Sequence, residues 1–255
     1  MRIISLQSGS NGNSIYVEAG NVRLLFDAGI SGIQAQQRLA AHDRDIRDVD
    51  AVLISHDHSD HCRSLGIYQR KFGLPVYVTE KTLDAARGRN RLGKLGEIRH
   101  FVAGDVVQFN DVVIETIATP HDGADGVAFV VDDGRRRFGL LTDLGHVFDG
   151  LGTAVGSLDA VLLESNYDPV LLKEGPYPEF LKERIAGLGG HLSNLECARL
   201  LGEAANRRLK WACLGHLSEH NNEPELALRT HRRILGDRMP LHVASRYVVS
   251  EVLEI

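Results

Sequence analysis

The stretch Ala51-Val52-Leu53-Ile54-Ser55-His56-Asp57-His58-Ser59-Asp60-His61 begins as a run of strand length and ends as three imidazoles and two carboxylates within six positions. The apolar part predicts a strand buried on both faces. A packed strand cannot carry the polar load that follows, so the cluster must lie where the chain leaves the core and can turn several side chains toward one point. Clustered histidine and aspartate of this kind is what a transition-metal site is made from.

If His56 and His58 alternate to one side, they can hold one ion, while Asp60 and His61, displaced along the turn, can hold a second a few ångströms away. Each ion needs further ligands, and other strand ends offer them: His121 in Thr119-Pro120-His121-Asp122, Asp143 in Leu141-Thr142-Asp143-Leu144-Gly145, and His216 in Leu214-Gly215-His216-Leu217-Ser218. A carboxylate has two oxygens, so Asp143 is the natural bridge, with His121 completing the first ion and His216 the second. The expected metal set is therefore His56, His58, Asp60, His61, His121, Asp143 and His216, around two divalent ions. Mixed nitrogen and oxygen ligation suits Zn, Mn or Fe equally.

Candidate catalytic groups are Asp60, itself a proposed ligand, Asp57 as an acceptor or as the base that orients water, and His191. The last stands just before a helix expected to start at Ser193, where free backbone N–H groups favour an anion and an imidazole can assist a leaving group. Asp27, ending an earlier apolar run, is placed to accept a hydrogen bond from a liganding imidazole.

Around these positions the chain alternates strands and helices. Ile3–Leu6, Ser14–Glu18 and Val22–Phe26 predict an antiparallel opening meander broken by Gly- and Asn-rich turns. Ser31 can cap a helix to about Ala41, and helices are expected near Arg63–Phe72 and from Glu80. Strands are expected at Val76–Thr79, Val106–Phe109, Val112–Ala118, Val127–Val131, Phe138–Leu141 and Leu158–Leu163. Ser193 with Glu196 forms a capping box for a helix to about Arg208. Trp211–Leu214, a helix introduced by Asn222-Glu223-Pro224-Glu225, and strands at Leu241–Ala244 and Tyr247–Leu253 close the chain. Two strand-rich halves, each with helices, suit a four-layer α/β sandwich, paired sheets covered outside by helices.

Composition sets the wider limits. The 255 residues are 43% hydrophobic and 25% charged with a net charge of −5, ordinary for a globular enzyme and poorly suited to loose nucleic-acid binding. One domain spanning 1–255 is expected. Long uncharged apolar stretches are absent, and the N-terminus turns polar too soon for a signal segment. Cys62, Cys197 and Cys213 are odd in number and scattered, which argues against a disulfide framework and for a cytoplasmic setting. Cys62 is expected to pack under the histidine loop. Arg87-Gly88-Arg89-Asn90-Arg91-Leu92-Gly93-Lys94 is a local basic segment able to track phosphates, although such a run is more often a solvated surface.

In order along the chain, Asp27, His56-x-His58-x-Asp60-His61, His121, Asp143 and His216 resemble the five motifs of the metallo-β-lactamase superfamily. Ser8-Gly9-Ser10-Asn11-Gly12-Asn13, Glu164-Ser165-Asn166-Tyr167-Asp168, Gly175-Pro176-Tyr177-Pro178, Gly190-His191-Leu192-Ser193-Asn194 and His216-Leu217-Ser218 followed by Asn221-Asn222 resemble its WalJ/YycJ-type exonuclease branch. The resemblance implies an αββα sandwich of the metallo-β-lactamase type with a dinuclear centre at one edge between the sheets. It further implies phosphodiester hydrolysis, with DNA as the substrate class and a metal-bridging hydroxide attacking phosphorus. Two positions depart from the branch: Tyr167 stands where histidine is expected, and Pro120 precedes His121.

Other readings remain open at this level. A metal hydroxide attacks any polarised electrophile, so a small-molecule phosphodiesterase or an ester, thioester or lactam hydrolase would use the same residues. The same ligands can hold iron for sulfur dioxygenation. A purely structural metal site is disfavoured, because the His and Asp mix leaves room for water. No membrane association and no obligate protein partner is expected.

Overall fold

In the computed structural model, which describes residues 1–255, successive side chains along most strands are buried on opposite faces, as buried mixed sheets require. Leu24 and Phe26 face one core while Leu25 between them faces another. Val127, Phe129 and Val131 share the first core, whereas Ala128 and Val130 belong to a third. The chain therefore builds one apolar layer between two sheets and one on each outer face.

The first sheet contains β1 (Arg2–Gln7), β2 (Ser14–Ala19), β3 (Val22–Phe26), β4 (Ala51–Leu53), β5 (Val76–Val78) and β6 (Ile98–His100). The second contains β7 (Val106–Phe109), β8 (Val112–Ala118), β9 (Val127–Asp132), β10 (Arg137–Leu141), β11 (Ala160–Glu164), β12 (Trp211–Gly215) and β13 (Leu241–Val243). A last strand, β14 (Leu253–Glu254), returns to the first sheet beside β1, giving orders β14-β1-β2-β3-β4-β5-β6 and β13-β12-β11-β10-β9-β8-β7. Helices α1 (Gly32–Ala40), α2 (Ser59–Cys62), α3 (Leu65–Phe72) and α4 (Glu80–Arg89) belong to the first half. Helices α5 (Leu151–Gly156), α6 (Pro169–Glu174), α7 (Glu179–Ala186), α8 (Asn194–Ala204) and α9 (Pro224–Leu235) belong to the second. The result is the expected αββα sandwich.

Strand direction positions the site. β3, β4 and β5 run parallel. β8 and β10 are both antiparallel to β9, so they point the same way, and β11 and β12 follow β10 in parallel. The C-terminal ends of these strands therefore collect at one edge of each sheet, where side chains leaving the core can meet.

Local signals acted as expected at several ends. Ser31 caps α1 in a reciprocal capping box with Gln34, Ser193 does the same for α8 with Glu196, and Pro224 occupies the first turn of α9. Elsewhere the boundaries shifted. α8 ends at Ala204 rather than near Arg208, and β4 stops at Leu53, two residues before the expected end. The run Tyr247–Leu253 is not a continuous strand: only Leu253–Glu254 pairs in register with β1, and before it Ser250 alone reaches that strand, its N–H bonded to the Ser5 carbonyl at 2.9 Å, while Tyr247 and Val248 are exposed. No helix is long and apolar enough to cross a membrane.

Candidate metal centre

Three of the residues singled out in the sequence, Asp27, Asp143 and His216, stand one or two positions beyond a strand with φ of 65°, 55° and 55°. Left-handed backbone is unusual outside glycine and costs on the order of 1–3 kcal/mol per residue. Here it breaks the strand direction sharply, so the side chain turns into the edge cleft instead of continuing over the sheet. Asp and His tolerate this conformation better than most residues.

The central loop uses a different device. After β4 the chain leaves regular structure, bends at Asp57 and His58, the latter with φ −65° and ψ 146°, and then enters the single turn α2. His56 and His58 meet His121 on one side, while Asp57 between them turns to Ala124 and Arg89 on the other. The helical turn then brings Asp60 and His61 round to the same cleft.

Side chains from both sheets converge there. The ligand-type atoms of His56, His58 and His121 all lie within 4.8 Å of one another, as do those of Asp60, His61 and His216. His58 Nδ1 is 3.3 Å from His121 Nε2, and His216 Nε2 is 3.4 Å from Asp60 Oδ2. Asp143 stands between the groups, with Oδ2 3.3 Å from His61 Nε2 and Oδ1 3.8 Å from His121 Nε2. All seven expected ligands thus meet in one place.

Each imidazole is held from behind. His61 Nδ1 lies 2.7 Å from Asp27 Oδ2, and His121 Nδ1 lies 2.8 Å from the Gly190 carbonyl. His216 Nδ1 is 3.2 Å from Glu164 Oε1, His58 Nε2 is 3.3 Å from Asp122 Oδ1, and His56 Nδ1 is 3.0 Å from the Ser55 hydroxyl. One ring nitrogen of every histidine is engaged by an outer group, and the other points into the cluster. An imidazole anchored in this way presents a fixed, basic lone pair.

Electrostatics divides the cluster. Burial, reinforced by the facing imidazoles, pushes His56 well down and His58 to about 4, so both are neutral and their lone pairs are free. Burial acts the same way on His61 and His216, but the surrounding carboxylates outweigh it, raising His61 well above its ordinary value and His216 to about 10. One half is all nitrogen and the other is rich in negative charge.

The donor set fits cations on an independent ground. His56 Nε2 and Asp143 Oδ2 are fully buried and have no hydrogen-bond partner. Buried polar atoms without partners are costly and rare, and a cation between them supplies what each lacks. The cluster is thus able to hold metal.

His191 and Asp57 meet different fates. His191 lines the cleft, its Nδ1 2.7 Å from Glu164 Oε1 and 3.7 Å from Asp143 Oδ1. Asp57 is completely buried but turned away, its Oδ1 accepting the Ala124 N–H at 2.6 Å and its Oδ2 3.0 Å from Arg89 Nε. Its carboxylate therefore braces the loop instead of facing the cluster. Cys62 lies buried beneath it, bonded to the Asp57 carbonyl at 3.2 Å. All three cysteines are free and buried.

Three contributors were not singled out as site residues in the sequence: Glu164, Asp122 and Asn13. Glu164 is fully buried at the end of β11 and joins His191, His216 and the N–H groups of Leu144 and Leu192. Its place at the end of an apolar strand, like that of Asp27, was the available signal. Asn13 Nδ2 lies 2.9 Å from His61 Nε2, which gives the Gly-rich opening loop a role at the cluster.

The chain belongs to the β-lactamase superfamily: the family described as Beta-lactamase superfamily domain matches residues 22–210. More particularly, it is 40% identical over 229 residues to exodeoxyribonuclease WalJ of Streptococcus pneumoniae, covering 88% of this chain and 84% of that one. It is 34% identical over 235 residues to exodeoxyribonuclease YycJ of Bacillus anthracis, covering 91% and 88%. The fold is shared with the metallo-β-lactamase fold protein YhfI of Bacillus subtilis (TM-score 0.74, 16% identity, 98% of each chain). It is shared also with the short form of human tRNase Z (TM-score 0.67, 16% identity, 100% of each chain).

Proposed function

We propose that this protein is a dinuclear-metal-dependent phosphodiesterase that acts on DNA as an exonuclease. The observation that carries the reading is the meeting of two three-residue ligand groups around one carboxylate, Asp143, which lies 3.3 Å from His61 and from His216 in one group and 3.8 Å from His121 in the other. His56, His58 and His121 would hold one divalent ion and Asp60, His61 and His216 the other, with Asp143 between them. The all-nitrogen and mixed donor sets suit Zn, Mn or Fe. DNA as substrate is supported by the exodeoxyribonuclease names of relatives at 34–40% identity over most of the chain.

When bound, the cations supply the acidification of a water and the positive charge that attack on a phosphodiester requires. The protein's own residues do the placing. Asp27, Glu164 and Asp122 orient imidazoles. His191, held by Glu164 at the cleft wall, is positioned to pass a proton to the leaving oxygen. Asp57 keeps the loop in register through Ala124 and Arg89 rather than acting on water. The whole of 1–255 forms one catalytic domain, and three free buried thiols suit a reducing cytoplasm.

Elemental analysis paired with hydrolysis of end-labelled single- and double-stranded DNA tests the proposal, with an activated phosphodiester, a lactam and a thioester alongside. About two metal ions per chain and nucleotide release from a DNA end are expected. Turnover of the lactam or thioester with intact DNA would overturn it.

A further inference from the structure

Two aspartates adjacent to the proposed ligands each hold an arginine. Asp57, between His56 and His58, lies 3.0 Å from Arg89 Nε on α4. Asp122, next to His121, takes Arg184 of α7 through both oxygens, at 2.6 and 3.1 Å. Both guanidinium groups line the cleft of about 380 Å³ that also exposes His58, Asp60, His191 and His216. Both side chains are about half exposed, at 52% and 54%. One arginine comes from the helix layer of each half of the sandwich.

The arrangement differs from a solvated basic surface. Within the Arg87–Lys94 segment, Arg87 pairs with Asp84 on its own helix, and only Arg89 lines the cleft. Arg89, ion-paired through Nε, leaves both terminal amino groups available, and Arg184, bound through Nε and one amino group, leaves the other available. Each rotamer is already restrained, so gripping an anion orders little more. A need for such groups is also present. Asp57, Asp60, Asp122, Asp143 and Glu164 crowd the site, and a polyanionic chain approaching them requires fixed positive charge beyond the metal centre.

We propose that Arg89 and Arg184 are the phosphate-gripping residues of the cleft, holding phosphates that neighbour the one presented to the metal centre in a single DNA strand. This rests on the phosphodiesterase reading above. Planar guanidinium groups suit phosphate oxygens, and the carboxylate tethers fix where along the strand each phosphate must lie.

Fluorescence anisotropy of a labelled single-stranded oligodeoxynucleotide with the whole protein in EDTA, across a series of salt concentrations, isolates binding from turnover. Arg184→Ala and Arg89→Ala should each weaken binding several-fold and reduce the slope of log affinity against log salt by about 0.7, the loss of one phosphate contact on a single strand. Arg184→Lys should restore the slope, and Arg229→Ala on the exposed side of α9 should leave both quantities unchanged. Asp122 is partly exposed whereas Asp57 is fully buried, so Arg184→Ala decides the matter if Arg89→Ala does not fold. Unchanged affinity and slope in Arg184→Ala overturns the proposal. DNA hydrolysis by the metal-loaded wild type is read separately. Normal hydrolysis with arginine-independent binding removes the phosphate grip and keeps the phosphodiesterase. Arginine-dependent binding with no hydrolysis removes the phosphodiesterase and keeps the grip.

Discussion

Asp27 Oδ2 lies 2.7 Å from His61 Nδ1, and Asp27 reaches that position only by adopting a left-handed φ of 65° at the end of β3. The same carboxylate accepts the Ser55 N–H at 2.8 Å, tying the strand that precedes the histidine loop to the ring it must orient. Asp27→Asn keeps a side chain that tolerates this backbone while removing the charge. Metal affinity, measured by competition with a chromophoric chelator, should fall about 10–100-fold. Wild-type affinity would mean that the ring is held without Asp27.

Loss of a ligand should empty the cluster rather than the core. His58→Ala and Asp143→Asn are expected to abolish divalent-dependent diester hydrolysis, and His58→Ala to lower the metal content per chain, with the metal-free proteins unfolding close to the wild type. Elemental analysis, a diester assay and thermal melts in EDTA check this. Near-normal turnover in both variants would remove the dinuclear reading.

His191 touches the cleft but is held by Glu164, so its loss should separate chemistry from metal loading. His191→Gln is expected to lower kcat by about 10²–10⁴ with metal content unchanged. A matching fall in metal content would instead make it a ligand.

Metal-free protein should have a stability optimum on the acid side of neutrality. Burial would raise the Glu164 carboxyl, but His191 and His216 outweigh it and hold it well below its ordinary 4.5. A carboxyl depressed on folding adds stability that is present above its unfolded value and lost as pH falls through the folded one. His216 is displaced the other way, from 6.5 to about 10, so its contribution is complete below 6.5 and drains as pH rises toward about 10. His56 and His58 are displaced downward, so holding them neutral costs stability as pH falls below 6.5. Urea unfolding in EDTA should therefore show greatest stability near pH 6.5, declining on both sides. A maximum above pH 8 would contradict the charge arrangement.

Two glycines separate packing from propensity. A Cβ on Gly29 would stand 1.6 Å from the Asp60 carbonyl oxygen, so Gly29→Ala must push the histidine loop aside and should cost about 3 kcal/mol or more. Gly88 in α4 has nothing within 4 Å of its Cβ position, and Gly88→Ala should stabilise by up to about 1 kcal/mol. Chemical denaturation of both variants measures the contrast.

The sandwich was legible mainly through the resemblance carried by Asp27, the His56–His61 run, His121, Asp143 and His216, since strands buried on both faces are demanded equally by other α/β folds. Capping boxes at Ser31 and Ser193 and proline at 224 marked helix starts from local chemistry alone. The short elements β6, α5, α6 and α7 escaped notice. β6 has only three residues, none fully buried, and α7 buries none of its residues, so neither carries a clear apolar period. The run Tyr247–Leu253 has β-forming composition, yet it touches β1 only through Ser250 before pairing in register at Leu253–Glu254.

By itself the sequence determined which imidazoles and carboxylates are candidates to gather, since those placed directly after apolar strands leave the core where the strands end. Tertiary structure alone decided which nitrogen of each ring faces inward, that Glu164 and Asp122 stand behind His216 and His58, and that Asp57 turns away toward Arg89. The physical reason is that a ring's orientation is set by the hydrogen bond on its far side. That partner lies 34, 52, 64 and 69 positions away for His61, His216, His58 and His121, where no local pattern reaches, and only His56 is held by its neighbour Ser55.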